Sequence, residues 1–298
     1  MRTCLYLLFF AMTGALGCKT FYPTTKDSIT VTSSPSLTEH GKILTYSICG
    51  QCHLNPVTNT FIGIHFSDVP SFIGQVYSHN LTQNPNGLAI YSDAALFYLI
   101  KTGINKNGKF IPYMTRPNIA DADLKAIIAY LRSNDTPVQS QDSVVGFTKY
   151  TFIGKMAMNS AKPQPYQTGI TAPDPKDDIA SGRYLVDQIG CHHCHSKSLL
   201  SINYLQPEKT KGYLAGGMAM KEPNGKTVHA ANLTPDNETG TGKYSLEEFR
   251  SAIREGKARD GKTMSSIMPK FGHLSDVQIA NIYAYLKSLP PVKHTVKK

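Results

Sequence analysis

Cys191-His192-His193-Cys194-His195 is the stretch whose reading decides the fold, and Cys49-Gly50-Gln51-Cys52-His53 is its earlier counterpart. Two cysteines separated by two residues and followed at once by a histidine are the attachment signature of a c-type haem. One helical turn sets the two thiols opposite the two haem vinyl groups, where thioethers form, and the next side chain lies under the iron. Cys49, Cys52, Cys191 and Cys194 are therefore the expected attachment points, and His53 and His195 the expected proximal ligands. A four-cysteine zinc site is the nearest other reading, but it leaves both histidines without a purpose. A redox dithiol predicts one active pair, not two in matching surroundings. Two covalently bound haem c groups are the expectation.

Working outward, the chain repeats itself. Asn80-Leu81-Thr82 recurs as Asn232-Leu233-Thr234, Tyr91-Ser92 as Tyr244-Ser245, and Asn107-Gly108-Lys109 as Asp260-Gly261-Lys262. Ala129-Tyr130-Leu131-Arg132-Ser133 recurs as Ala284-Tyr285-Leu286-Lys287-Ser288. Near-constant shifts with small insertions mark two copies of one unit of domain size. The fold class this predicts is mainly α, with two tandem domains at 38–133 and 179–290, each a small helical fold wrapped around one covalent haem.

Local signals place the helices. Thr38 is a candidate N-cap for a helix through Ile43, Leu44 and Ile48, and Ala94 to Ile100 form another, stopped by Gly103. Leu124, Ile128 and Leu131 make one apolar face of a closing helix, with Asp121, Asp123, Lys125 and Arg132 largely outside it. In the second copy Ser275 and Gln278 form a capping box, followed by the apolar face of Ile279, Tyr283 and Leu286.

An electron-carrying haem needs a soft, neutral sixth ligand. Met114 stands on a loop just before the closing helix, where class I cytochromes c, which this region resembles, place their axial methionine. The repeat sets Met268 beside it, with Met264 four residues earlier as a competitor. Met156 and Met158, in the linker, are read as packing residues.

The second copy carries a closer resemblance. Gly216-Gly217, Asn232-Leu233-Thr234-Pro235-Asp236, Thr239-Gly240-Thr241-Gly242, Glu247-Glu248-Phe249, Arg254-Glu255-Gly256 and Met268-Pro269 resemble the cytochrome c subunits of membrane-associated alcohol, aldehyde and sugar-acid dehydrogenases. The first copy lacks the Thr-Gly-x-Gly element and resembles cytochromes c in general. The resemblance implies an electron-transfer haem protein rather than an enzyme, partnered by a dehydrogenase or an oxidase. A catalytic dihaem enzyme, a peroxidase or a small-oxyanion dehydrogenase, is the alternative. It needs an iron with an open site, which methionines in both expected places argue against.

Residues 1–17 read as a lipoprotein-type signal: Arg2, an uncharged apolar run, then Gly17 before Cys18. Of six cysteines four are committed to haem and Cys4 leaves with the signal, so lipidation of Cys18 removes the one thiol left over. This predicts export to the periplasmic side of a bacterial membrane, held by a lipid anchor. Residues 18–37 then serve as a flexible tether, 134–178 as a proline-rich linker with an apolar middle lying along or between the heads, and 291–298 as a basic tail.

The formal charge of +10 suits acidic docking sites or anionic headgroups. No nucleic-acid motif is present. His192 and His193 are expected to face solvent. Asn80, Thr82, Asn232 and Thr234 are candidate donors to haem propionates or surface-turn residues, and Arg116 or Lys270 candidate propionate partners.

Overall fold

Helix starts follow capping chemistry in a computed structural model that describes residues 21–141, 145–222 and 224–297. The expected signal and Cys18 lie outside the described residues. Helix α1 (Pro35–Leu44) begins earlier than expected: Ser34 Oγ accepts from Leu37 N at 3.2 Å, and Pro35 fills the first turn, where its missing N–H costs nothing. Ser34, not Thr38, is the cap. The helix continues through a wide π turn at Thr45–Cys49 into α2 (Gly50–His53), which carries the first attachment motif. A short strand β1 (Gly74–Gln75) follows, then α3 (Asp93–Thr102), capped by Ser92 and stopped by Gly103 at φ 81°, as its sequence predicts. Helix α4 (Asp121–Leu131) closes the first unit.

Strand β2 (Lys149–Tyr150) pairs antiparallel with β1, and α5 (Phe152–Ser160) extends from it. Helix α6 (Asp178–Ile189), capped by Asp177, leads through left-handed Gly190 into α7 (Cys191–Cys194). The hairpin of β3 (Ala219–Lys221) and β4 (Thr227–His229) follows, then α8 (Leu246–Glu255) and α9 (Asp276–Ser288). Both α8 and α9 start in full capping boxes, at Ser245/Glu248 and Ser275/Gln278.

Two apolar cores result. Leu44, Phe61, Phe97, Leu124 and Ile128 anchor one, and Val186, Leu214, Phe271, Ile279 and Ile282 the other. Each is organised by the same crossing of a first and a last helix. A Cβ on Gly41 of α1 would lie 1.9 Å from Ala126 O of α4, and a Cβ on Gly182 of α6 would lie 1.9 Å from Asn281 O of α9. Only glycine lets the two backbones touch.

Three segments are more ordered than their composition suggests. Residues 21–34, expected as free tether, run extended along the first unit: Tyr22 N donates to Gly108 O at 2.8 Å, Val31 N to Asp93 Oδ2 at 3.0 Å, and Ile29 and Val31 pack on the core. Most of the linker lies along the first unit, Gly154 of α5 packing against Ile73 O and Tyr166 against the core, and its end reaches the second, where Asn281 Nδ2 donates to Pro175 O at 3.0 Å. The basic tail is docked on the second unit through Val292 and His294, whose ring Nδ1 is 2.8 Å from Ala215 O.

The units also touch each other. Asp123, expected outside the closing helix's apolar face, is buried because its carboxylate takes His40 Nε2 at 2.7 Å and Tyr184 OH at 2.6 Å. Tyr46 stacks on His273 with ring centroids 3.9 Å apart.

Candidate haem-binding sites

The two histidines expected as proximal ligands are held alike. His53 is 4% exposed with Nδ1 2.7 Å from His79 O; His195 is 7% exposed with Nδ1 2.8 Å from Ala231 O. His79 and Ala231 are the residues preceding the two Asn-Leu-Thr repeats. A carbonyl can only accept, so Nδ1 carries the proton and Nε2 keeps the lone pair that an iron needs. Burial pushes the His53 pKa down to about 4 and lowers that of His195, so both rings stay neutral.

The cysteines fit covalent attachment. All four are free of disulfides, and burial pushes Cys49 and Cys191 up to about 12 and Cys194 to about 11, keeping them as neutral thiols. No three metal-ligating side chains converge among the described residues, as the zinc reading would require.

Polar groups in the first unit also suit haem. Asn80 Nδ2 and Thr82 Oγ1 are buried without a hydrogen-bond partner, the kind of donor a propionate carboxylate takes. Their counterparts in the second unit are engaged: Asn232 Nδ2 donates to Val292 O at 2.8 Å, and Thr234 Oγ1 donates to Asn232 Oδ1 at 2.7 Å. The donor sets of both units therefore fit a histidine-ligated, thioether-linked haem, with a carboxylate-ready edge in the first.

The methionine loops are related by their backbone bonds. Ile111 N donates to Gly103 O and Met264 N to Gly256 O, each at 2.7 Å, which sets Met264 opposite Ile111. Met114 N then bonds Ile111 O at 3.4 Å, and Met268 N bonds Ser265 O at 3.1 Å. Met114 and Met268 thus close equivalent turns, just before α4 and α9. Met268 packs against the second core, whereas Met114 follows Tyr113, held at φ 71°.

Two expectations are corrected. His192 is not exposed: it is 2% accessible, both its ring nitrogens lack partners, and burial drives its pKa down to about 3. His193 meets Tyr204 edge-on, with ring centroids 5.6 Å apart. The cause is the neighbouring unit, whose Arg116 loop covers this turn and forms a cleft with it, lined by Arg116, Asn118, Gln188, His192 and Tyr204. Arg116, a candidate propionate partner, reaches across to the second unit, its Nε donating to Gln188 O at 3.0 Å, and stands near Cys49 and Cys52. This contact was missed because nothing local in the sequence marks it.

Comparison with known proteins agrees with the geometry. Residues 179–290 match the cytochrome c family model. The gluconate 2-dehydrogenase cytochrome c subunit of Pantoea cypripedii is 30% identical over 264 residues, covering 81% of this chain and 56% of that protein. The fructose dehydrogenase cytochrome subunit of Gluconobacter japonicus is 26% identical over 86% of this chain and 53% of its own length. A diheme cytochrome c-type protein of Cereibacter sphaeroides is 23% identical, over 82% of this chain and 83% of its own. The chain spans about half the length of the two dehydrogenase subunits. With histidine geometry that fits haem and cytochrome c subunits among its relatives, the stretch 179–290 belongs to the cytochrome c family.

Proposed function

We propose that this protein is an exported dihaem cytochrome c, built of two tandem cytochrome c domains, that passes single electrons from a dehydrogenase or respiratory complex to a downstream acceptor. The observation that carries the reading is the duplicated histidine geometry: two buried imidazoles, each fixed by a carbonyl and each following a CxxC pair. When bound, each haem supplies a one-electron iron couple.

The chain's residues do the rest. His53 and His195 present Nε2 in a fixed tautomer, Met114 and Met268 offer a soft sulfur from the opposite loop, and the two cores exclude water. Held by His53 with Met114 and by His195 with Met268, a haem iron would cycle without exchanging ligands, and the imidazole–thioether pair would raise its potential. Contacts with redox partners are expected to be small and short-lived, and the positive charge favours acidic docking sites. Lipidation of Cys18 is the proposed membrane attachment, on the periplasmic face of a bacterial membrane; intact mass of the mature protein reads it directly.

Anaerobic titration of the full-length holoprotein with a one-electron reductant tests the function. Uptake of two electrons per chain with no peroxide turnover is the expected result. Sustained peroxide or oxyanion turnover would make it a catalytic dihaem enzyme instead.

A further inference from the structure

Arg116 stands between the two attachment motifs. It leaves the first unit on the loop between Met114 and α4, and its Nε donates to Gln188 O of α6 at 3.0 Å. Nη1 donates to Thr115 O at 2.9 Å and Tyr113 O at 3.3 Å. Nη2 comes within 3.4 Å of the point where a Cβ on Gly190, the residue before Cys191, would lie. A second bond crosses the same seam: Gln51, inside the first motif, donates to Ile189 O at 2.9 Å. The two CxxCH segments therefore face one another, with the guanidinium in the seam.

That cation has no carboxylate within ion-pair distance among the described residues. The acid in the cleft wall, Asp187, takes its hydrogen bond from Tyr213 OH at 3.0 Å, and burial raises its pKa to about 6. The other titratable groups facing the guanidinium are Tyr204, His192, His193, Cys49 and Cys52. The bond to Gln188 O and the approach to Gly190 set the charge beside the second attachment segment, and the Gln51 bond to Ile189 O brings the first to the same seam. Arginine suits the place because its planar fork reaches Gln188 O, Thr115 O and Tyr113 O at once while carrying the charge.

We propose that Arg116 is a positioning residue for electron transfer: its fixed, unpaired charge between the attachment segments favours the reduced state of the haem held by Cys49 and Cys52 and, more weakly, of the one held by Cys191 and Cys194. This rests on the dihaem reading above. Reduction adds one electron, supplied by the redox partner, to the iron and lowers the positive charge of the group by one. Thioether bonds tie each group to sulfurs near the guanidinium, and in a partly desolvated seam the cation stabilises that added electron.

The test is an anaerobic spectroelectrochemical titration of full-length wild type, Arg116→Gln, Arg116→Lys and Asn118→Ala holoproteins, each first shown to carry two thioether haems. A wild type without two haems fails the dihaem reading, not this one. Arg116→Gln should lower the mean of the two midpoints, by about tenfold in the one-electron equilibrium constant, or 59 mV. Arg116→Lys keeps the charge and should restore most of it. Asn118→Ala loosens the seam, through loss of the Asn118 bond to Leu205 O, without touching charge and should leave the midpoints in place. Unchanged midpoints in Arg116→Gln, or an equal fall in Arg116→Lys or Asn118→Ala, would overturn the proposal and leave Arg116 a fastener. If Arg116→Gln does not load haem, wild-type midpoints in Arg116→Lys with Asn118→Ala support it and a fall in either overturns it.

Discussion

Thr82 and Thr234 occupy the same place in two copies of Asn-Leu-Thr, yet Thr82 Oγ1 has no partner while Thr234 Oγ1 accepts from Val292 N at 3.1 Å. The residue that stands for Val292 in the first unit, counted from the shared Ser133 and Ser288, is Pro137. Proline has no N–H to give. Its carbonyl is spent on Phe61 N at 2.8 Å, whereas Val292 O receives Asn232 Nδ2. One substitution outside the repeat thus frees Asn80 Nδ2 and Thr82 Oγ1 in the first unit and engages their counterparts in the second. The units share how they grip the proximal histidine and differ in what covers the Asn-Leu-Thr turn.

The largest expected effect tests what the units share. Gly41→Ala and Gly182→Ala each drive a Cβ into a backbone carbonyl at 1.9 Å, and each should cost about 2–3 kcal/mol in urea unfolding of the holoprotein. Similar losses confirm that one helix crossing was used twice; a loss in only one would break the equivalence.

Replacing the methionines sharpens the comparison next. Met114→Ala and Met268→Ala should each remove half of the weak near-infrared band of ferric haem bound to methionine. Met268→Ala should also lower stability more, because Met268 packs against a core and Met114 does not. An unchanged band in either variant would transfer the ligand role elsewhere, in the second unit to Met264.

A smaller effect should fall on one side alone. Thr234→Val removes two hydrogen bonds and should cost about 1–2 kcal/mol, whereas Thr82→Val should be close to neutral in the haem-free chain. Equal costs would mean that Thr82 has a partner within the chain.

The smallest concerns an ion pair within the first unit, at the carboxylate that also takes Tyr184 OH of the second. The Asp123 carboxylate raises the His40 pKa above its usual value, so this pair contributes fully below about pH 6.5 and its contribution fades as pH rises through the raised value. His40→Asn should flatten that part of the stability profile; a profile unchanged by the substitution would show that the pair contributes nothing.

Much of this was legible in the sequence, for physical reasons. Helix ends depend on three or four adjacent residues, so the capping box at Ser275 and the left-handed stop at Gly103 could be read directly. Ser34 was missed because Thr38 is also a good cap, and Pro35 settles the choice only once the helix is seen to extend that far. Burial of His192, docking of residues 21–34 and the role of Arg116 depend on partners tens of residues away. Val31 and Asp93 are 62 apart in the chain, Arg116 and Gln188 are 72 apart, and neither pair leaves a periodic trace.

A pyridine haemochrome spectrum of the full-length protein, normalised to chain concentration by amino-acid analysis, bears most directly on the whole account. Two thioether-linked haems per chain, falling to one in either His53 motif or His195 motif when its cysteines are replaced by alanine, is the result predicted. One haem in the wild type, or haem extracted from denatured chain by acid and organic solvent, would contradict it.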